Sequence, residues 1–172
     1  MSFQSTVSLA QGFGVPGELF TDAPYQATAY TIYTSASAAY NIIGATCCTI
    51  TSQGFVEAGG TGTFAGFLVD PKDQALFGAS SVPLNPTLTV NNYSVVECLT
   101  MGVIIVTLPA SAAIGDYVVY NTTTGAISTI TPSTPLASGT AFANAIVTNY
   151  TVGGAGLAVI TVNPTYIIPQ PA

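Results

Sequence analysis

Histidine, arginine and tryptophan are absent from this 172-residue chain, and lysine occurs once, as Lys72. Each absence removes a class of chemistry. Without histidine there is no Ser-His-Asp or Cys-His couple and no histidine-ligated zinc. Without arginine there is no bidentate clamp for phosphate, and one lysine cannot make a nucleic-acid footprint. Seven acids against that lysine leave a net charge of −6, which repels nucleic acid and anionic membranes alike. Charged residues are 5% of the chain, against about 25% in ordinary soluble domains. A globule of 17.4 kDa exposes roughly 7,900 Å², so the charges are spread at about one per 1,000 Å². Solubility then rests on Thr, Ser, Asn and Gln. A neutral polar surface loses little charge solvation when it is covered, which suits a subunit of an assembly.

Cysteine is scarce too, with Cys47, Cys48 and Cys98 only. Neighbouring cysteines form a disulfide only through a strained ring, and no histidine or arginine is present to lower a thiol pKa. The three are read as buried structural thiols. The opening Met1-Ser2-Phe3-Gln4-Ser5-Thr6 lacks a basic stretch followed by an apolar one, so no secretory leader is expected. The most apolar stretch, 95–108, contains Glu97 and is too short to span a bilayer as a helix.

What is present points to strands. Hydrophobic residues reach 49% and the mean hydropathy is +0.57, which excludes an acidic disordered tail. Thr, Val, Ile, Tyr and Phe dominate, and 17 glycines and 11 prolines punctuate them, as in a chain of short strands and turns. Strands are expected at 27–33, 46–51, 63–69, 87–90, 94–98, 102–107, 116–121, 126–130, 141–149 and 155–162. The 94–98 and 102–107 pair is broken at Met101-Gly102. Asn121-Thr122-Thr123-Thr124-Gly125 reads as a hairpin connection with Gly125 at positive φ. Ser35 to Tyr40 reads as a turn or loop. The pattern predicts an all-β domain over 26–163, a small β-barrel or two-sheet sandwich of jelly-roll type. An extended N-terminal arm over 1–25 precedes it, and a proline-rich tail over 164–172 follows.

No motif carries catalysis. Paired carboxylates perform glycoside hydrolysis, but Asp70-Pro71-Lys72-Asp73 reads as a charged turn screened by its lysine. No Asp-x-Asp-x-Asp-Gly run supports calcium. Glu97 sits in an apolar run, where strand alternation turns it away from Val96 and Cys98 toward solvent or an interface. Asp116 after Gly115 reads as a turn former. Gly59-Gly60-Thr61-Gly62 and Gly153-Gly154-Ala155-Gly156 lack the lysine of a phosphate loop and read as turns. Nine tyrosines suit strand faces and interfaces. No catalytic residue, metal or cofactor is assigned.

Several stretches in order resemble one family. They are Met1-Ser2-Phe3-Gln4, Gly14-Val15-Pro16-Gly17-Glu18-Leu19, Asp22-Ala23-Pro24, and Ala58-Gly59-Gly60-Thr61-Gly62-Thr63-Phe64-Ala65-Gly66-Phe67-Leu68-Val69 with Pro71-Lys72. Thr100-Met101-Gly102, Ile114-Gly115-Asp116-Tyr117-Val118-Val119-Tyr120, Thr124-Gly125 and Gly156-Leu157-Ala158-Val159-Ile160 complete the set. The chain resembles the structural cement, or capsid decoration, proteins of tailed bacteriophages. That resemblance implies a non-enzymatic virion protein without cofactors, made in the host cytoplasm. Such a protein binds the capsid exterior and cements neighbouring major capsid subunits. It self-associates as a dimer or trimer at a lattice symmetry axis. Nucleic acid and membranes are not expected partners. Shell contacts do not transfer by motif, so the apolar residues of the expected arm are the candidates: Phe3, Val7, Leu9, Phe13, Leu19 and Phe20. Another phage structural component, such as one of the tail, and a tyrosine-based carbohydrate-binding β-sandwich are the alternative readings.

Overall fold

Val, Ile and Thr crowd the stretches between glycines, and branched side chains fit a pleated surface better than a helix. A computed structural model, which describes residues 14–20, 24–70, 88–149 and 152–162, shows the outcome. The described residues form nine strands and one 3-10 turn at Ala38–Tyr40. The strands are β1 (Gln26–Thr31), β2 (Cys47–Ile50), β3 (Val56–Ala58), β4 (Thr63–Val69) and β5 (Val95–Leu108). Then come β6 (Tyr117–Asn121), β7 (Ile127–Ile130), β8 (Thr140–Val147) and β9 (Gly156–Val162). All pair antiparallel, in the path β3-β2-β4-β5-β9-β8-β6-β7, with β1 also on β5. The all-β expectation holds, and among the described residues the strands form one sheet that is not closed.

The 14-residue β5 joins two halves. Its first part pairs with β1 and β4, and from Gly102 onward it pairs with β9. Gly102 has φ 138°, and a Cβ there would lie 2.9 Å from Tyr25 Cβ. The expected break at Met101-Gly102 is therefore a change of partners within one continuous strand. Glycine takes that backbone conformation without leaving the ladder.

The halves share a core. Cys47, Phe67 and Leu99 come from the smaller half, and Ile104, Val118, Ala143, Val147 and Ile160 from the larger. A second core lies within the smaller half, with Ile32, Ile43, Cys48, Val56, Leu68, Val96 and Cys98. Strand alternation sends Cys47 into the first and Cys48 into the second. Each fully buried Leu, Ile or Phe contributes about 1.5–3 kcal/mol of transfer free energy.

A glycine clasp ties the turn after β3 to the β6–β7 hairpin. Gly60 N–H donates to Thr122 O at 2.7 Å, Cys47 N–H to Gly125 O at 2.9 Å and Gly59 N–H to Cys47 O at 2.9 Å. A Cβ on Gly59 would lie 2.8 Å from Gly125 N. Gly125 has φ 70°, as the hairpin reading requires. The smaller half is pinned by a polar network. Buried Asn41 donates to Val90 O at 3.1 Å and to Asn92 Oδ1 at 3.0 Å, and accepts from the Thr34 hydroxyl at 2.5 Å.

Two local expectations change, and the Ser35–Tyr40 turn or loop gains detail. The strand expected at 87–90 is, over its described part, a single bridge from Thr89 to Ile42. The three-residue β3 was not expected, because a run that short carries almost no alternation. The Ser35–Tyr40 loop contains the 3-10 turn, where Ser37 Oγ accepts from Ala39 N–H at 3.2 Å.

Candidate interaction surfaces

The candidate contact residues of the expected arm divide. Phe3, Val7, Leu9 and Phe13 lie outside the described residues. Leu19 and Phe20 are described, and they belong to a segment that borders β5. Gly17 N–H donates to Ile105 O at 2.8 Å, Ile105 N–H to Glu18 O at 2.9 Å and Phe20 N–H to Val103 O at 3.0 Å. Leu19 bridges Ile104 and packs against the shared core. So residues 17–20 extend the larger half as an added edge, and Leu19 is engaged within its own chain.

Two of the carboxylates accept backbone hydrogen bonds. Asp116 Oδ2 accepts from Ala113 N–H at 2.8 Å and closes the turn before β6. Glu18 Oε2 accepts from Val15 N–H at 3.3 Å. Asp70 N–H donates to Gly17 O at 3.2 Å, holding the end of β4 to the segment beside β5. Glu97 is exposed, opposite Ala29 on β1 and Val69 on β4. Asp22, Lys72 and Asp73 lie outside the described residues. No group of three or more Cys, Asp or Glu among the described residues could hold a metal ion. No helix among them is long and apolar enough to cross a membrane.

The three thiols are free and buried. Burial, then the neighbouring Cys98, pushes the Cys47 thiol well above its ordinary value. A hydrogen bond with Cys98, followed by burial, does the same for Cys48. Protonated, enclosed thiols are poor nucleophiles.

The surface of the described residues includes two hollows and a stacked aromatic group. A groove of about 350 Å³ is lined by Tyr40, Ile42, Thr46, Thr107, Pro109 and Ile127 among others, with no ionisable carboxylate or amine. A smaller hollow of about 200 Å³ lies between Ala29, Val69, Asp70, Val95 and Glu97. Tyr33, Phe55 and Tyr93 stack together, with Tyr33 and Tyr93 ring centres 5.0 Å apart. Sequence reasoning missed this group and the Asn41 network, because both join loops far apart in the chain.

The described residues assemble no group of three or more potential metal-binding side chains, and their thiols are buried. Residues 3–163 match the family described as structural cement protein (E217 gp24/Pam3 gp6). The chain belongs to the phage structural cement protein family. The resemblance of the Gly14–Leu19, Ala58–Val69 and Ile114–Tyr120 stretches is thus borne out. No match was found among curated proteins. Among solved structures, the chain is similar to one from the capsid of Myoviridae phage XM1. That likeness has 16% identity, 95% coverage of this chain, 98% coverage of that chain and a TM-score of 0.62. At that identity it speaks for a shared fold. As a family member the chain is a structural protein of the phage capsid.

Proposed function

We propose that this protein is made in the host cytoplasm, binds the outer surface of an assembled capsid and bridges neighbouring major capsid subunits. The observation that carries the reading is the family match across 3–163. The charge-poor surface supports it, since covering it costs little charge desolvation. A ligand that binds only the assembled lattice stabilises that lattice by linkage, about 2.7 kcal/mol per site at a hundredfold excess over Kd. The chain acts as a homo-oligomer at a lattice axis. The arm, residues 1–25, supplies the reach to a neighbour, with Phe3, Val7, Leu9 and Phe13 as its contacts and 17–20 bonded to β5. The body spans 26–163, followed by the tail 164–172. Purified protein added to bare particles should co-sediment and saturate, and the loaded particles should withstand higher temperature. Failure to sediment with bare mature particles overturns the reading.

A further inference from the structure

Among the described residues β1 pairs with β5 alone, so its outer side is an edge of the sheet. Along β1 the backbone groups alternate between its two sides. Ile32, just past its end, exchanges bonds on the β5 side: its N–H donates to Ser94 O at 3.0 Å, and its O accepts from Tyr93 N–H at 2.7 Å. By that alternation Ala29 and Thr31 point their N–H and C=O groups the other way. Tyr33 N–H, two positions on, does reach outward, to Val56 O at 2.8 Å. The other outer strands are partly covered by their own chain. Ile127 N–H of β7 donates to Ala45 O, and Ala58 N–H of β3 to Thr34 Oγ1. β1 reads Gln-Ala-Thr-Ala-Tyr-Thr, with none of the lysine, proline or charge that usually blunts an exposed edge.

Apolar surface converges on the same strand. Eight large apolar side chains are exposed among the described residues, and four of them flank β1. Tyr25 precedes it, Met101 sits opposite Gln26, Val95 opposite Thr31, and Tyr93 bonds Ile32. Tyr93 is 68% exposed and Val95 67%. Tyr93 also holds φ 67°, a left-handed conformation uncommon for a bulky residue.

We propose that two copies of this chain pair antiparallel through β1, centred near Ala29, extending the sheet across a two-fold axis. A second copy fits better than a charged partner strand because the edge is neutral and self-complementary. Antiparallel self-pairing is isologous, as a two-fold axis demands. Among the described residues, Glu97 on β5 stands opposite Ala29, and Asp70 lines the hollow beside them. Two Glu97 carboxylates would stand three strand spacings apart, about 14 Å. That exceeds the Debye length of about 8 Å at physiological salt but not the roughly 30 Å at 0.01 M. Self-association should therefore tighten as salt rises from about 0.01 to 0.15 M. The proposal specifies the oligomer included in the reading above, and capsid binding can stand without it.

Sedimentation equilibrium of the full chain tests it. The expected mass is twice 17.4 kDa, with Ala29 and Thr31 amides gaining hydrogen-exchange protection as concentration rises. Ala29→Pro removes an outward N–H from an edge position that tolerates proline. It should weaken self-association by about tenfold or more. Tyr93→Asn keeps a residue tolerant of the left-handed conformation, removes the apolar rim and should also weaken the dimer. This second variant and the exchange data keep the test decisive if Ala29→Pro does not fold. A monomer at about 100 μM, or a dimer indifferent to both variants, overturns the proposal. A monomer whose Ala29→Pro variant loses capsid binding also overturns it: the edge then takes a shell strand, and the capsid reading survives.

Discussion

Asn41 holds three partners at once, so its loss is felt beyond its own volume. Asn41→Ala leaves the Thr34 hydroxyl, the Val90 carbonyl and the Asn92 side chain each short of a bond. An orphaned buried polar group costs about 1–3 kcal/mol, and the urea midpoint should fall accordingly. Its network reaches 58 positions along the chain, from Thr34 to Asn92, which explains why no local pattern announced it. The thiols were legible, because a chain without histidine or arginine has nothing to activate them. Their raised pKa values have a signed consequence. The folded state keeps its protons while the unfolded state releases them above the ordinary thiol value of 9.0. Stability is therefore fully present below that pH and falls as pH rises through it, by about 1.4 kcal/mol per pH unit for each such thiol. Urea titrations from pH 7 to 10 should show the slope, and Cys48→Ala should reduce it.

Among the elements, β5 shows what a sequence can and cannot convey. Two apolar runs separated by Met101-Gly102 indicated two strand-like stretches and a discontinuity. They could not indicate whether the chain turns there or stays extended and exchanges neighbours. That choice depends on β1 and β4 on one part and β9 on the other, and pairing across such distances leaves no local signature. For the same reason 140–147 and 156–162 were legible as strands while their places in the path were not. Gly102→Ala forces a side chain into φ 138° and against Tyr25. A strained backbone of this kind costs about 1–3 kcal/mol. The expected result is a lower melting temperature with an unchanged far-UV spectrum, and an unaltered melting temperature would mean β5 can change partners without glycine. Phe67 tests the shared core from β4. Its ring is fully buried and packs edge-on to Phe64 at 6.0 Å, so Phe67→Ala should cost about 3–5 kcal/mol.

For the whole molecule, the question is which forces hold it to a shell. Deleting residues 2–13 stops short of the segment bonded to β5, and capsid occupancy should fall. Deleting 2–20 would also strip the bonds to Ile105 and Val103 and should lower stability. A 2–13 deletion that binds as tightly as the full chain removes the arm from the attachment. The nature of the bond follows from magnitudes. One lysine and seven acids allow few ion pairs, and exposed pairs contribute about 0–1 kcal/mol each. Covering about 800 Å² of apolar surface contributes on the order of 20 kcal/mol gross, before the cost of association. The apolar term is the larger, since even seven such pairs sum to no more than about 7 kcal/mol. Occupancy on bare particles should therefore change little between about 0.15 and 1 M NaCl, where the Debye length shrinks from about 8 to 3 Å. It should fall in mild urea, which weakens apolar burial. Co-sedimentation distinguishes the two cases: release by salt alone, with urea without effect, would place a basic pocket of the shell on the acids and remove the apolar account.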